Sequence, residues 1–473
     1  MSDTRSEPRP DDPGVSGLAA GALSSAHVGV VLAAGRSERL ASVTGGGSKA
    51  LVRVGGLPLV ERAVQCLLRL GLDEVVVVVG YEAGPVAAVV NRIAPGRVRA
   101  VLAERWEEGN GASLSAAEPI LADEPLFIVV TADHVFGDGS LTPLMQAGRP
   151  AALVDHAPEP SAWAEGTRVR LHEEHAIAFS KDLGDPSIDC GAFLLTPAVF
   201  AAQREAASRA DHSLSEAVTT FAASRPLAAI PLPPGAWWLD IDTPEDLRAA
   251  SRTMRRALAK PDDGPISRYL NRPVSTRLSM AIAPLRIHPD VISAVAAVTG
   301  IVAASLLGMG AGVVGATFAY LTSILDGTDG EVARLQDRAT PGGALLDGVL
   351  DRLSDAAIVA GLSVWAIGKG MVSPTAAVIL AVAATAASLL SMATKDRIAA
   401  LGLPAAPERG IGFLLGGRDG RLLLITACAL VGRPAWALVA VTATAGAALV
   451  IRLVLVRARV VADRSQRASK EGS

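Results

Sequence analysis

A chain of 473 residues, half of them hydrophobic and 19% charged with a formal net charge of −3, has room for two or three domains and for sizeable cores. Its three cysteines, Cys66, Cys190 and Cys428, lie far apart and form no CxxC, which argues against a disulfide framework or a zinc site and suits a reducing compartment. The charge balance says little about partners, and nucleic acid is not expected among them. The apolar residues are unevenly spread. Up to about residue 285 the apolar runs are short and interrupted, as in a soluble α/β protein, whereas beyond Pro289 they lengthen to roughly 20 residues, the span of a bilayer-crossing helix.

Residues 1–25 begin "SDTRSEPRPDDPGVSG" after the initial Met, polar and lacking a basic n-region. They read as a disordered tail and not as a signal peptide. Val28 to Leu32 is then a short β-rich run, Ala33-Ala34-Gly35 a tight turn, and Leu59 to Leu70 carries helical periodicity. A strand running into a glycine-bearing loop places backbone N–H groups where a phosphate can sit. Arg36, Arg39 and Lys49 add the fixed positive charge that a triphosphate losing pyrophosphate requires in its transition state. On residues alone, a plain structural turn is an open alternative. The apolar strand 127–130 delivers Asp133 at its carboxyl end, where ligands bind in open α/β sheets. Asp240, with Asp242 beside it, returns to the same edge, and two carboxylates there can hold Mg2+ across an α-phosphate and an attacking oxygen. For any single Asp, a strand-end cap is the plainer reading. "HEEH" at 172–175 lacks the spacing of a zinc helix and reads as a solvated surface segment, and His134 as a packing or orienting residue.

These blocks come in a familiar order. L-A-A-G-R-S-x-R-L, the Lys inside "GGGSKALVRVGG", "EEGNGASLSAA", "FIVVTADHVF", "KDLGDPSIDCGAFLLTPAVF" and "WWLDIDTPEDL" resemble the nucleotidyltransferases that join a sugar or polyol phosphate to a nucleoside triphosphate. "GNGASL" and "TADHVF" look most like the CTP:inositol-1-phosphate cytidylyltransferases. The resemblance implies a doubly wound α/β domain over 26–258, with metal held by Asp133 and Asp240, and Lys49 and Arg39 catalytic. It also puts Leu32, Ala33, Ala34, Gly35, Arg36, Lys49, Asn110, Gly111 and Ser113 beside the nucleotide or polyol. Two positions depart from the pattern: Lys49-Ala50 stands where Lys-Pro is common, and Cys190 where a small hydroxyl residue is expected before Gly191.

Pro261-Asp262-Asp263-Gly264-Pro265 is turn chemistry and marks a boundary within a linker at 259–289. After it Ile266, Tyr269, Leu270, Val274 and Leu278 recur at helical spacing against Arg268, Asn271, Arg272 and Arg277, which suits a helix lying in the membrane interface or an ordinary amphipathic linker. Six apolar spans follow within 290–460, roughly 290–308, 311–325, 349–368, 372–392, 421–432 and 434–456, predicting an all-α polytopic membrane domain. Arg and Lys crowd alternate connections and the tail at 461–473, so both termini and the first domain are expected on the cytoplasmic side of a cell membrane.

Between the second and third spans lies Asp326-x-x-Asp329-Gly330-x-x-Ala333-Arg334, then eight residues, then Gly343-x-x-x-Asp347-x-x-x-Asp351. Spacings of three and four put each aspartate pair on one helical face, and two packed helices bring all four together. Such a cluster calls for divalent cations, Mg2+ or Mn2+. Small residues beside it let a diphosphate approach the backbone, and one carboxylate can take a proton from an alcohol. Eight specified positions at fixed spacing arise by chance about once in 10⁹ start sites, so the resemblance to the CDP-alcohol phosphatidyltransferases is specific. It implies Asp326, Asp329 and Asp347 as metal ligands, Asp351 as metal ligand and general base, and Gly330, Ala333, Arg334 and Gly343 at the nucleotide. His288-Pro289-Asp290 stands where Thr-Pro-Asn is expected.

Joined, the two halves resemble the bifunctional inositol-1-phosphate cytidylyltransferase and di-myo-inositol phosphate phosphate synthase family. That resemblance implies CTP, inositol 1-phosphate and CDP-inositol as partners, and a homodimer through the membrane domain. A phosphorylated acceptor calls for cations, for which Arg268, Arg272, Lys395, Arg397 and Arg409 are the candidates. Two alternatives stay open at this point: a lipid acceptor, as for most of the membrane family, and a lipid synthase tethered to a non-catalytic sensing domain.

Overall fold

The computed structural model describes residues 26–36, 38–260, 263–403 and 417–471, without side chains beyond 460. The tail read over 1–25, the Pro261-Asp262 pair and Arg409 lie outside the described residues. The chain forms two compact units, one of Met1–Gly35, Cys66–Thr131 and Phe136–Trp238, the other of Arg36–Gln65, Ala132–Val135 and Leu239–Ser473.

The first unit is built on nine strands: β1 (Val28–Ala33), β2 (Glu74–Val79), β3 (Val98–Leu102), β4 (Phe127–Thr131), β5 (Ala151–Asp155), β6 (Arg168–His172), β7 (His175–Ser180), β8 (Ile188–Leu195) and β9 (Ala228–Pro231). They form one sheet in the order β3-β2-β1-β4-β8-β5-β9-β7-β6. β1 lies parallel between β2 and β4, with Val28 opposite Glu74 on one side and Phe127 on the other. β1 and β4 are buried at every position, the continuous apolar run of parallel strands covered on both faces. β8 runs antiparallel to β4 and β5, which ends the parallel half. Three helices of this unit matter below: α1 (Asn110–Ser115), α2 (Ala198–Ser208) and α3 (Leu214–Ser224). Phe127 stacks on Phe200 of α2 at 5.9 Å between ring centroids. The α/β expectation for this half is met.

The second unit is helical: α4 (Pro244–Ala257), α5 (Arg272–Ile282), α6 (Pro289–Gly308), α7 (Gly312–Leu335), α8 (Pro341–Gly368), α9 (Pro374–Ala400), α10 (Arg418–Leu430) and α11 (Pro434–Glu471). Proline opens α4, α6, α8, α9 and α11, where its missing N–H is no loss. Thr243, Thr340 and Ser373 cap three of these starts by accepting from backbone N–H groups. α6 packs on α7 and α8, α7 on α10, and α9 on α11. Small residues permit this. A Cβ on Gly361 of α8 would come within 2.2 Å of the Ala304 carbonyl of α6.

By length and composition α6, α9 and the stretch Pro434–Val460 are long and apolar enough to cross a membrane. The other three expected spans are helices too, with different ends. α7 continues to Leu335, past its apolar limit near 325, and α8 starts at Pro341, ahead of its apolar limit near 349. Nothing in the charged motif breaks a helix until Asp337, which takes φ 54° just before the Thr340 cap, so backbone hydrogen bonding outruns hydrophobicity. The amphipathic segment after residue 265 also differs from the expectation. Ser267–Asn271 forms a π turn ahead of α5, and Asn271, Ser275 and Ser279 turn inward while Tyr269, Leu270 and Val274 are exposed. Polar residues thus face the protein and apolar ones face outward, the reverse of an ordinary surface helix.

Candidate active sites

The first cluster lies in the segments 36–65, 132–135 and 239–258. Asp133 follows β4 by two residues, and the Ile241 N–H donates to its carbonyl at 3.1 Å, tying the Asp240 segment beside it. Lys49 opens a one-turn helix capped by Ser48. Its ammonium donates to Asp133 at 2.9 Å and to Asp242, and lies 3.9 Å from Asp240. Arg39 also donates to Asp242. His134 bonds Asp133 through Nδ1 at 2.9 Å, the orienting contact expected of it. One ligand atom from each of Asp133, His134 and Asp240 can be chosen so that all lie within 4.8 Å of one another.

The electrostatics follow from burial and sign. Burial works against the Lys49 ammonium, but Asp133, Asp240 and Asp242 outweigh it and raise its pKa. Burial likewise opposes the Asp133 carboxylate, yet Lys49 and His134 hold it well below the usual range. Asp240 goes the other way. Burial, helped by the charges of Asp133 and Asp242 against those of His134 and Lys49, pushes it up to about 6. Its Oδ1 is buried without a hydrogen-bond donor, so this oxygen fits a cation ligand, and an all-oxygen pair suits a hard divalent ion.

In the other unit, Leu32, Ala33 and Ala34 are buried in the core at the end of β1. They can meet a ligand only through their backbone. Asn110 is exposed at the start of α1, whereas Ser113 is buried and donates its hydroxyl to the Gly109 carbonyl at 3.0 Å. Gly111 is required by packing, since a Cβ there would meet the His212 carbonyl at 2.7 Å. Of these three expected ligand contacts, Asn110 alone presents a side chain to solvent. Cys190 is fully buried, and that burial, with Asp189 and Asp155 nearby, raises its thiol well above the ordinary range. It is a core residue.

The second cluster forms where α7 meets α8. Carboxylate oxygens of Asp326, Asp347 and Asp351 lie within 4.8 Å of one another. Asp329, buried, is not one of that set of three but is hydrogen-bonded to Asp347 of it and accepts from Ser293 of α6. At the start of α10, Arg418 reaches in and pairs with Asp326 at 2.7 Å, Asp351 at 3.0 Å and Asp355 at 3.1 Å. A cation already stands among three carboxylates there, so the donor set fits positive charge. Gly330 and Ala333 lie between Asp329 and Arg334 on α7, and Gly343 lies in the first turn of α8, where its N–H donates to Thr340 at 3.0 Å.

The acceptor candidates separate. Arg272 is engaged by Asp263 at 2.8 Å and by buried Glu331 of α7 at 2.5 Å, while Arg268 is exposed. Arg397 lines a cavity of about 930 Å³ between α9 and α11 with Thr394 and Arg457, and Lys395 is exposed nearby on α9. Three further residues join the second cluster. Asp355 continues the four-residue period of Asp347 and Asp351, a signal available in the sequence. Arg418 and Arg421, the latter 2% exposed and paired with Asp355 at 3.4 Å, come from a helix more than 60 residues downstream, so no local spacing ties them to the motif.

Residues 29–219 match the MobA-like NTP transferase domain family, and residues 286–408 the CDP-alcohol phosphatidyltransferase family. A bifunctional IPC transferase and DIPP synthase from Rubrobacter xylanophilus is 35% identical over 432 residues, covering 90% of this chain and 96% of that protein. One from Archaeoglobus fulgidus is 29% identical over 401 residues, covering 84% and 76%. Among solved structures, the inositol-1-phosphate CTP transferase from T. maritima matches with a TM-score of 0.44 at 21% identity, over 48% of this chain and 96% of that one. With both domains present in one chain and the match running nearly end to end, this protein belongs to the bifunctional IPC transferase and DIPP synthase family.

Proposed function

We propose that the chain makes and then uses CDP-inositol. In the first reaction a phosphate oxygen of inositol 1-phosphate attacks the α-phosphorus of CTP, the bond to the β-phosphate breaks, and pyrophosphate leaves. In the second, a hydroxyl of another inositol 1-phosphate attacks the inositol-bearing phosphorus of CDP-inositol and CMP leaves, giving di-myo-inositol phosphate phosphate. The observation that carries this reading is that one chain closes two separate carboxylate clusters, each with a buried cation among its acids.

Lys49, Arg39 and Arg36 supply fixed positive charge for the triphosphate, and Asp133 and Asp240 are the residues that would hold Mg2+ there. The backbone at 32–35 and the side chain of Asn110 are assigned to the nucleotide or polyol. In the second site Asp326, Asp329, Asp347 and Asp351 would hold metal, Gly330, Ala333, Arg334 and Gly343 are assigned to the diphosphate, and Asp351 takes the proton from the attacking hydroxyl. Bound Mg2+ would supply neutralisation of phosphate charge at each site. Arg418 orients Asp351, and Arg397, with Lys395 and Arg457 close by, is the best-placed acceptor cation. The cytidylyltransferase module is assigned to 26–258, the linker to 259–289 and the membrane transferase to 290–460, as a homodimer with both sites cytoplasmic.

The test is to incubate detergent-purified protein with CTP, Mg2+ and radiolabelled inositol 1-phosphate and to resolve the products. CDP-inositol converting to a water-soluble di-inositol phosphate, and accumulating unconverted in Asp351→Asn, is the expected outcome. Conversion only after lipid is added would move the acceptor into the bilayer, and no CDP-inositol would overturn the first step.

A further inference from the structure

Arg62 belongs by sequence to the nucleotidyltransferase match, but its side chain works elsewhere. It is 8% exposed, and its guanidinium donates to three backbone carbonyls: Val54 at 2.7 Å, Gly55 at 3.0 Å and Leu335 at 2.9 Å. Leu335 is the last residue of α7, the helix of Asp326 and Asp329. Its carbonyl is among those that a helix cannot satisfy internally, and a cation there also complements the negative end of the helix dipole. The hairpin Arg53–Pro58, just before the helix that carries Arg62, is shaped for the same place. Gly55 and Gly56 take φ of 56° and 91°. A Cβ on Gly55 would meet Leu335 at 3.0 Å, and one on Gly56 would meet the Ala283 backbone at 2.7 Å. Gln336, next after the helix, donates to the Ala283 carbonyl at 3.1 Å, and Arg286 pairs with Glu61 beside Arg62.

We propose that Arg62 is a positioning residue for the second reaction, because it caps the carboxyl end of the helix that presents the CDP-alcohol motif. Arg334 and Ala333 lie one and two residues before the capped carbonyl, inside the last turn. Asp329 and Asp326 lie six and nine residues back, about 9 and 13 Å along the helix axis. Fraying of an uncapped end is confined to the final turn or so, so it displaces the residues assigned to the nucleotide and leaves the aspartates largely in place. The inference rests on the CDP-inositol reading of the second site.

The experiment assays the two reactions separately on full-length protein in detergent, the second with supplied CDP-inositol and inositol 1-phosphate. Arg62→Ala is expected to raise the KM for CDP-inositol about tenfold, with kcat changed less than threefold and the first reaction within about twofold of wild type. Arg62→Lys, which can still donate to carbonyls, should recover most of the KM. Loss of active protein would lower kcat at constant KM, and that pattern, or an unchanged KM, overturns the proposal. Should Arg62→Ala fail to fold, Arg286→Ala removes the ion pair that anchors Glu61 beside Arg62 and carries the same KM prediction. Wild-type protein inactive on CDP-inositol would instead defeat the reading of the site, leaving the two failures distinguishable.

Discussion

Asp240 shares one cation with Asp133 but titrates in the opposite direction, and the difference is a matter of contact. Asp133 receives a direct hydrogen bond from Lys49 at 2.9 Å, whereas Asp240 is 3.9 Å from the same ammonium with a buried oxygen and no donor. Its carboxyl, pushed up to about 6, therefore binds a proton in the folded state where an exposed aspartate would not. The sign follows: between the ordinary carboxylate range and about 6 the folded state binds more protons, so the ionised acid destabilises the fold at neutral pH, and protonation relieves that. A protonated carboxyl is a poor metal ligand. The half-saturating Mg2+ for CDP-inositol formation should be flat above pH 7 and rise about tenfold per unit below pH 6. Measuring it from pH 5 to 8 checks this, and Asp240→Asn should raise the Mg2+ requirement and remove the slope. A slope that persists would place the titrating group elsewhere. At this scale the motif carboxylates were legible because type and spacing alone mark them. Arg418 was not, because its partners are set by tertiary structure: α10 packs on α7 and the Arg418 side chain reaches α8.

At the scale of elements, α7 is held along its side as well as at its end. Glu331, fully buried, accepts from Arg272 at 2.5 Å, Ser275 at 2.8 Å and Ser279 at 2.6 Å, all from α5. A charge so placed is tolerable only with its partners. Glu331→Ala leaves Arg272 with Asp263 alone, strands the Ser275 hydroxyl and leaves Ser279 only the Thr328 carbonyl at 3.4 Å, which should cost about 3 kcal/mol and lower the Tm in detergent by about 5 °C. Glu331→Gln keeps an acceptor for the serines and should lose less. Equal melting of wild type and Glu331→Ala would mean that the α5–α7 contact contributes nothing to stability. The sequence marks both helices and sets Arg272 on the polar side of α5, as a candidate for an acceptor phosphate, whereas the structure pairs it with Asp263 and Glu331. Hydrophobic periodicity shows which face differs from the other, not which one is buried, and in α5 it is the polar face that is buried. The same limit explains the ends of α7 and α8. Hydropathy reports where lipid can be, while the helix itself stops only at the Asp337 turn.

For the whole molecule, family boundaries and packing boundaries differ. The matches end at 219 and resume at 286, which invites a cut near residue 259. The compact units divide otherwise: Arg36–Gln65, Ala132–Val135 and the stretch from Leu239 belong with the helices. No local pattern in the sequence announces this, because it depends on Gly55 and Gly56 meeting residues 283 and 335, more than 200 positions away. A chain beginning at residue 259 would lose the Arg62 cap on Leu335 and the Glu61 partner of Arg286, and would expose the Ala283 turn that Gly56 covers. Such a fragment should melt well below the full-length protein in the same detergent and show a raised KM for supplied CDP-inositol. Adding residues 26–258 as a separate chain should restore part of both, since the lost contacts need only the hairpin and not the covalent link. A fragment as stable and as tight for CDP-inositol as the intact protein would instead show that the helical half stands alone, and that segments 36–65 and 239–258 rest on it without supporting it.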